Sequence, residues 1–132
     1  MEVDAIASAW APRLLSILRI MAGLLMLQHG MAKLLSFPVV QPLANLNLSS
    51  LPGIAGFFEL IGGVLLVIGL FTRPVAFILS GMYAVAYFYA HAARNFFPIL
   101  NGGELVIFFC FAFLYLAAAG PGPWSVDAMR NK

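Results

Sequence analysis

Residues 56–74 read GFFELIGGVLLVIGLFTRP. An unbroken apolar run of this length is a helix made for lipid, and Glu59, near its start, is its one carboxylate. A lone acid in such a run is costly in a bilayer and needs either a partner or a task. Gly62, Gly63 and Gly69 follow it, and Thr72-Arg73-Pro74 ends the run as a tight turn. What Glu59 does there is the question that organises the rest of the chain.

The chain of 132 residues has the length of one domain, read as a single transmembrane domain. Its residues are 63% hydrophobic and only 9% charged, with a mean hydropathy of +0.99. So short a chain cannot hide that much apolar surface from water, so the lipid bilayer must be the partner for much of it. A net charge of +2 is too small to argue for nucleic acid. The single cysteine, Cys110, excludes an internal disulfide, a CxxC redox pair and a cysteine zinc site. The first ten residues, MEVDAIASAW, are acidic and lack the pattern of a cleavable signal peptide. The first membrane helix is therefore expected to act as its own insertion signal.

Four apolar segments near spanning length predict an all-α, four-helix integral membrane bundle running up-down-up-down. They cover about 12–35, 52–71, 74–91 and 102–119, with Pro12 in the first turn of the first. The turn at 71–74 makes helices two and three antiparallel neighbours, with Thr72 expected to cap helix three. Residues 36–51 contain Pro38, Pro42, Asn45 and Asn47 and read as an interfacial or partly re-entrant loop; residues 92–101 belong at headgroup level. Cation counting then sets orientation. Arg13, Arg73, Arg130 and Lys132 share one side against Lys33 and Arg94 on the other, which predicts two cytoplasmic termini. Trp10 and Trp124 flank that same inner boundary.

This topology brings His29, Lys33, Glu59, His91, Arg94, Asn101 and Glu104 to the outer end. At about 100° per residue, Arg19, Gly23, Met26, His29, Gly30 and Lys33 share one face of helix one. Gly56, Glu59, Gly62, Gly63 and Gly69 do so on helix two. The predicted inward stripe of helix three is Phe77, Ser80, Ala84, Tyr87 and His91, with Tyr83 at its margin. That of helix four is Glu104, Phe108, Phe111 and Tyr115, with Cys110 off it. Bland readings exist for most of these. Asn101-x-x-Glu104 has the form of a capping box, Lys33 and Arg94 can snorkel to headgroups, and His91 suits a helix C-terminus. Glu59 calls for pairing with His29 or Lys33, and even a paired acid can be purely structural. Arg19 has no acid at its depth; snorkelling, Tyr83 or a lipid phosphate are its candidate partners.

Arg19, Gly23 and His29-Gly30-x-x-Lys33 resemble the first-helix pattern of DoxX-type membrane proteins. Glu59-x-x-Gly62-Gly63 with Gly69-x-x-Thr72-Arg73 resembles the second-helix signature, and Asn101-Gly102-Gly103-Glu104-Leu105 the start of the last helix. The resemblance covers about 15–118. It implies a four-helix protein of the bacterial inner membrane, from a family named after a thiosulfate:quinone oxidoreductase subunit, many of whose members are labelled redox-complex subunits.

Three functions compete at this stage. The first is a membrane subunit of a redox complex that binds a quinone or similar lipophilic ligand. Phe77, Tyr83, Tyr87, Phe108 and Phe111 would supply the slot, His29, Lys33 or His91 the donors, and Glu59 the exchangeable proton. The second is a non-enzymatic scaffold that docks a protein partner or forms a homo-oligomer. The third is a small-molecule or proton transporter relaying through Glu, His and Arg. No metal site is expected. A haem held by His29 and His91 rests on two histidines alone and is disfavoured. Disulfide-exchanging quinone reduction needs paired cysteines, which one cysteine excludes.

Overall fold

The computed structural model describes residues 1–43 and 46–131. Asn45 and Lys132, both used in the sequence reading, lie outside them. Among the described residues, six α-helices account for nearly all regular structure: α1 (Glu2–Leu34), α2 (Leu51–Ile68), α3 (Thr72–Ala90), α4 (Pro98–Asn101), α5 (Glu104–Ala119) and α6 (Val126–Arg130). A short 3₁₀ turn, Gln41–Leu43, interrupts the first loop, and no strand occurs among the described residues.

α1 starts ten residues before the expected Pro12, which lies inside the helix. Residues 2–11 include four alanines, and Glu2 and Asp4 sit where the helix dipole favours acids. The helix therefore nucleates early and tolerates the one hydrogen bond that Pro12 removes. α2 is capped by the Ser50 hydroxyl, which accepts from the Gly53 N–H at 3.3 Å, and it stops at Gly69. Gly69 has φ +74°, a conformation that closes a helix cheaply only for glycine.

Thr72 does not cap α3 as expected. The cap position is Phe71, in a left-handed conformation, and the carboxylate that satisfies the helix start comes from the C-terminal tail. Asp127 accepts the N–H groups of Phe71 and Thr72, each at 2.9 Å.

Cross-helix contacts give the packing. Gly23 faces Leu66, Gly30 faces Leu60 and Gly56 faces Lys33, so α1 and α2 run antiparallel along their whole contact. Arg73 reaches Ala117, Ser80 reaches Cys110 and Gly103 abuts Tyr87, which sets α3 against α5 in the same way. The two pairs meet more sparingly, through α2 with α3 and α1 with α5. Met26, Leu66, Leu79, Tyr83, Phe109 and Phe113 fill the centre. The Tyr83, Phe109 and Phe113 rings lie 5.6–6.0 Å apart, at the spacing of stacked aromatics.

Two predicted faces need correction. Phe77 on α3, and Phe108, Phe111 and Tyr115 on α5, point outward, Phe108 with 77% of its surface exposed. The inward residues are Ala76, Leu79, Ser80 and Tyr83 on α3, Ser80 as expected, and Phe109, Phe113 and Leu116 on α5. α5 reads ELVIFFCFAFLYLAAA, apolar all round after its first residue, so no polar stripe marks which side turns in.

α1 and α2 have the length and hydropathy to cross a membrane, and only 28% and 33% of their apolar windows are buried within the chain. A soluble core helix would be covered. The large side chains left outside, Phe88, Phe108, Phe77 and Ile61 among them, form a surface suited to lipid. α3 has the length but a more polar sequence, and α5 has 16 residues.

Candidate functional site

The carboxylate of Glu59 is 1% exposed. Its position on α2 is one turn from Gly56 and one from Gly62, where the missing side chains let α1 and α3 close in. A Cβ on Gly30 would come within 2.5 Å of the Leu60 N, and one on Gly63 within 2.7 Å of the Leu27 N. This approach lets short side-chain reaches bridge three helices.

Of the two partners expected for Glu59, the structure selects Lys33. Its Nζ lies 2.6 Å from Oε1, with 14% of the Lys33 side chain exposed. The second oxygen, Oε2, accepts a short hydrogen bond from the Tyr83 hydroxyl, and Met26 Sδ abuts the same hydroxyl. The single phenolic proton points to the carboxylate, the stronger acceptor, rather than to the thioether. Lys33, Glu59 and Tyr83 thus form one charged hydrogen-bonded line across α1, α2 and α3. An acid and an ammonium together, with both oxygens satisfied, resolve the desolvation problem that Glu59 posed alone.

His29 joins by position only. It lies a turn before Lys33, half-buried, with its ring edge-on to Phe109 at 6.4 Å, and it makes no hydrogen bond to Glu59. It lines a depression of about 190 Å³ with Gln28, Ala32, Pro38, Val40 and Leu43, where the loop after α1 folds back on the helix. A larger groove of about 260 Å³ between α2 and α3 is wholly apolar, floored by Gly62 and Leu79, and contains none of the candidate residues.

The remaining polar residues do not join this line. Asn101, 1% exposed, donates to the Tyr87 hydroxyl and to the Asn95 carbonyl, both at 3.0 Å, and its Oδ1 accepts the Gly103 N–H at 2.8 Å. His91 Nδ1 lies 3.0 Å from the Asn101 carbonyl, which fixes that nitrogen as the protonated one, and its ring stacks on Tyr87. This is a second knot, tying α4 and its loop to the end of α3. The expected capping box is absent, because Gly103 takes the cap position of α5 and the Asn101 oxygen is spent on the Gly103 N–H. Glu104 and Arg94 are exposed, and their side chains make no hydrogen bond or ion pair among the described residues. The single polar mouth inferred from topology is therefore two separate hydrogen-bonded groups, flanked by two free charges.

Arg19 lies at the other end, fully buried, and meets neither Tyr83 nor an acid in direct contact. Its Nε donates to the Leu66 carbonyl at 2.8 Å, and its terminal nitrogens donate to Pro121, to Trp124 at 2.7 Å and to Val67 at 3.5 Å. It fills the carbonyl-rich C-terminus of α2 and clamps the tail there. Ser16 accepts the Trp124 N–H at 3.1 Å, and the Asp127 N–H donates to Gly69 at 2.9 Å. Sequence reasoning missed this clamp because carbonyls carry no signature. The Ser125-x-x-Ala128 start of α6 and the isolated tail acid Asp127 were the available signals. Burial opposes the Asp127 charge, but the N–H groups of Thr72 and Phe71, with Arg130, outweigh it and hold the carboxyl below its ordinary range.

The DoxX family model matches residues 14–92, the segment that carries Arg19, His29, Lys33, Glu59, Tyr83 and His91. A Haemophilus influenzae protein described as uncharacterised is 41% identical over 122 residues, spanning 89% of this chain and 91% of the relative. No solved structure matches.

Proposed function

The chain belongs to the DoxX family, and from that premise we propose that it is a bacterial inner-membrane subunit of a redox complex that binds a quinone-class headgroup beside Lys33. In this reading α1, α2, α3 and α5 cross the bilayer up-down-up-down as a single transmembrane domain, with both termini in the cytoplasm. The ligand site then faces the outer leaflet.

The observation that carries the reading is the Lys33–Glu59–Tyr83 line, with His29 a turn away in an open depression. Quinone reduction takes up two electrons and two protons at two carbonyl oxygens. Lys33 and His29 are donors with exposed edges, and behind them the Glu59 carboxylate would exchange protons with its Lys33 and Tyr83 partners. Electrons would come from a partner protein of the complex. The aromatic slot differs from the sequence expectation: Phe109 and Tyr83 back the site, while Phe77, Phe108 and Phe111 face lipid.

A second reading has its own support. Both Glu59 oxygens are already engaged and Met26, Tyr83 and Phe109 fill the space behind them, as in a knot that holds helices together for a docking scaffold. Titration of purified protein with a decyl-tailed quinone separates the two. Saturable binding that disappears in a Glu59→Gln, His29→Ala double variant supports the ligand site. Binding retained in that variant, or none in the wild type, supports the scaffold.

A further inference from the structure

The face of α1 opposite its buried stripe carries a second pattern. Val3, Trp10, Ile17 and Leu24 recur every seven residues, and Ala7, Leu14, Met21 and Gln28 recur at the same interval, four residues after each of the first set. This 4-3 alternation is the a/d spacing of a coiled coil. All eight residues are exposed, whereas Ser16, Arg19, Gly23, Met26 and Gly30 on the other face are buried within the chain.

Helix length makes the pattern informative. α1 has 33 residues, about 50 Å at 1.5 Å per residue, against a hydrocarbon core of about 30 Å. Every residue from 1 to 14 is exposed, so the first part of the helix projects past the rest of the chain. Lipid can cover Ile17, Met21 and Leu24, but it does not reach Val3 and the first heptad in water. An uncovered helix of that length is marginal in water. Glu2 and Asp4, with no basic side chain before Arg13, also disfavour laying it on anionic headgroups. Gln28 adds a need of the opposite kind. Its amide lies exposed on this face of a spanning helix, at the rim of the His29 depression, with no hydrogen-bond partner among the described residues.

We propose that this face of α1 pairs with α1 of a second copy of the chain as a parallel coiled coil. Two copies inserted in the same sense necessarily present their first helices in parallel, which sets Gln28 at one height in both. The two amides then satisfy each other inside the membrane, as a polar a position does in setting register. The same seam covers Val3, Ala7 and Trp10 beyond it. The pairing does not rest on the ligand reading, although Gln28 also rims the His29 depression; it requires that α1 crosses the membrane.

Single cysteines introduced into a Cys110→Ala background, oxidised in intact membranes, test it. A disulfide needs Cα atoms within about 7 Å. Dimer bands several-fold stronger at positions 7, 10 and 14 than at the equally exposed Ala5, Ser8 and Ala9 are expected. Equal linking at all six, or none at the seam, overturns the proposal; quenching of Trp10 by brominated lipid with no seam linking assigns the stripe to the membrane surface instead. Fluorescence-transfer titration in vesicles should show about threefold weaker association for Gln28→Leu. Unchanged association in that variant overturns the assignment of Gln28 to the seam.

Discussion

The Lys33 ammonium sits 2.6 Å from the Glu59 carboxylate although the two residues are 26 positions apart and on different helices. Removing one partner of such a pair leaves an uncompensated charge in a low-dielectric site, which costs about 3–5 kcal/mol. Lys33→Ala should therefore destabilise the protein strongly in detergent unfolding. A Lys33→Met, Glu59→Leu double change should recover most of that loss, since neither charge then remains. A double variant no better than Lys33→Ala would show that the pair is not the stabilising contact.

The glycines that permit this approach are not equivalent. Gly30→Ala places a Cβ 2.5 Å from the backbone of Leu60, and backbone cannot step aside, so a loss of about 1–3 kcal/mol is expected. Gly81 has nothing within 4 Å of the same added atom. Gly81→Ala should be neutral or stabilising by up to about 1 kcal/mol, because alanine favours a helix interior. Thermal midpoints of the two variants in one detergent give the comparison.

Arg19 should resist conservative replacement. Its guanidinium serves four carbonyls from α2 and the tail with donors set in a fixed fork. A lysine carries the same charge but lacks that geometry. Arg19→Lys is expected to release residues 120–131 to limited proteolysis while α1 and α2 stay protected. Tail protection equal to wild type would remove Arg19 from the clamp.

Much of this arrangement was legible in the residues, and the limits have physical causes. Glu59 stood out because one charge in an apolar run has few solutions, and the small-residue faces of α1 and α2 turned inward as their periodicity required. The α5 phase was not legible. Phe108 and Phe109 are the same residue type one step apart, and only packing against Tyr83 decides which is buried. The Arg19 clamp and the Asp127 cap depend on a tail that returns across 102 and 56 residues to its partners, distances that no local pattern encodes.

Asp127 makes the tail contact pH-dependent, with a definite sign. Its folded-state carboxyl lies below the ordinary value of about 3.9, so its stabilisation is fully present above that value and is lost as pH falls through the folded one. Hydrogen exchange at the Phe71 and Thr72 amides should be unchanged from pH 7 to about 5, once corrected for intrinsic rates, and protection should fall below about pH 4. Asp127→Asn should remove the acid-dependent step. Loss of protection near neutrality would place the titrating group elsewhere.

The central claim, that a quinone-class headgroup binds beside Lys33 and Glu59, is tested most directly at His29, the one proposed donor outside the internal hydrogen-bond line. A short-tailed quinone is titrated calorimetrically into wild-type protein and into His29→Ala, both in lipid nanodiscs, with thermal midpoints measured alongside. A dissociation constant raised about tenfold, equivalent to about 1.4 kcal/mol, at an unchanged midpoint is the predicted result. Equal affinity in the two proteins, or no saturable binding to either, would contradict it.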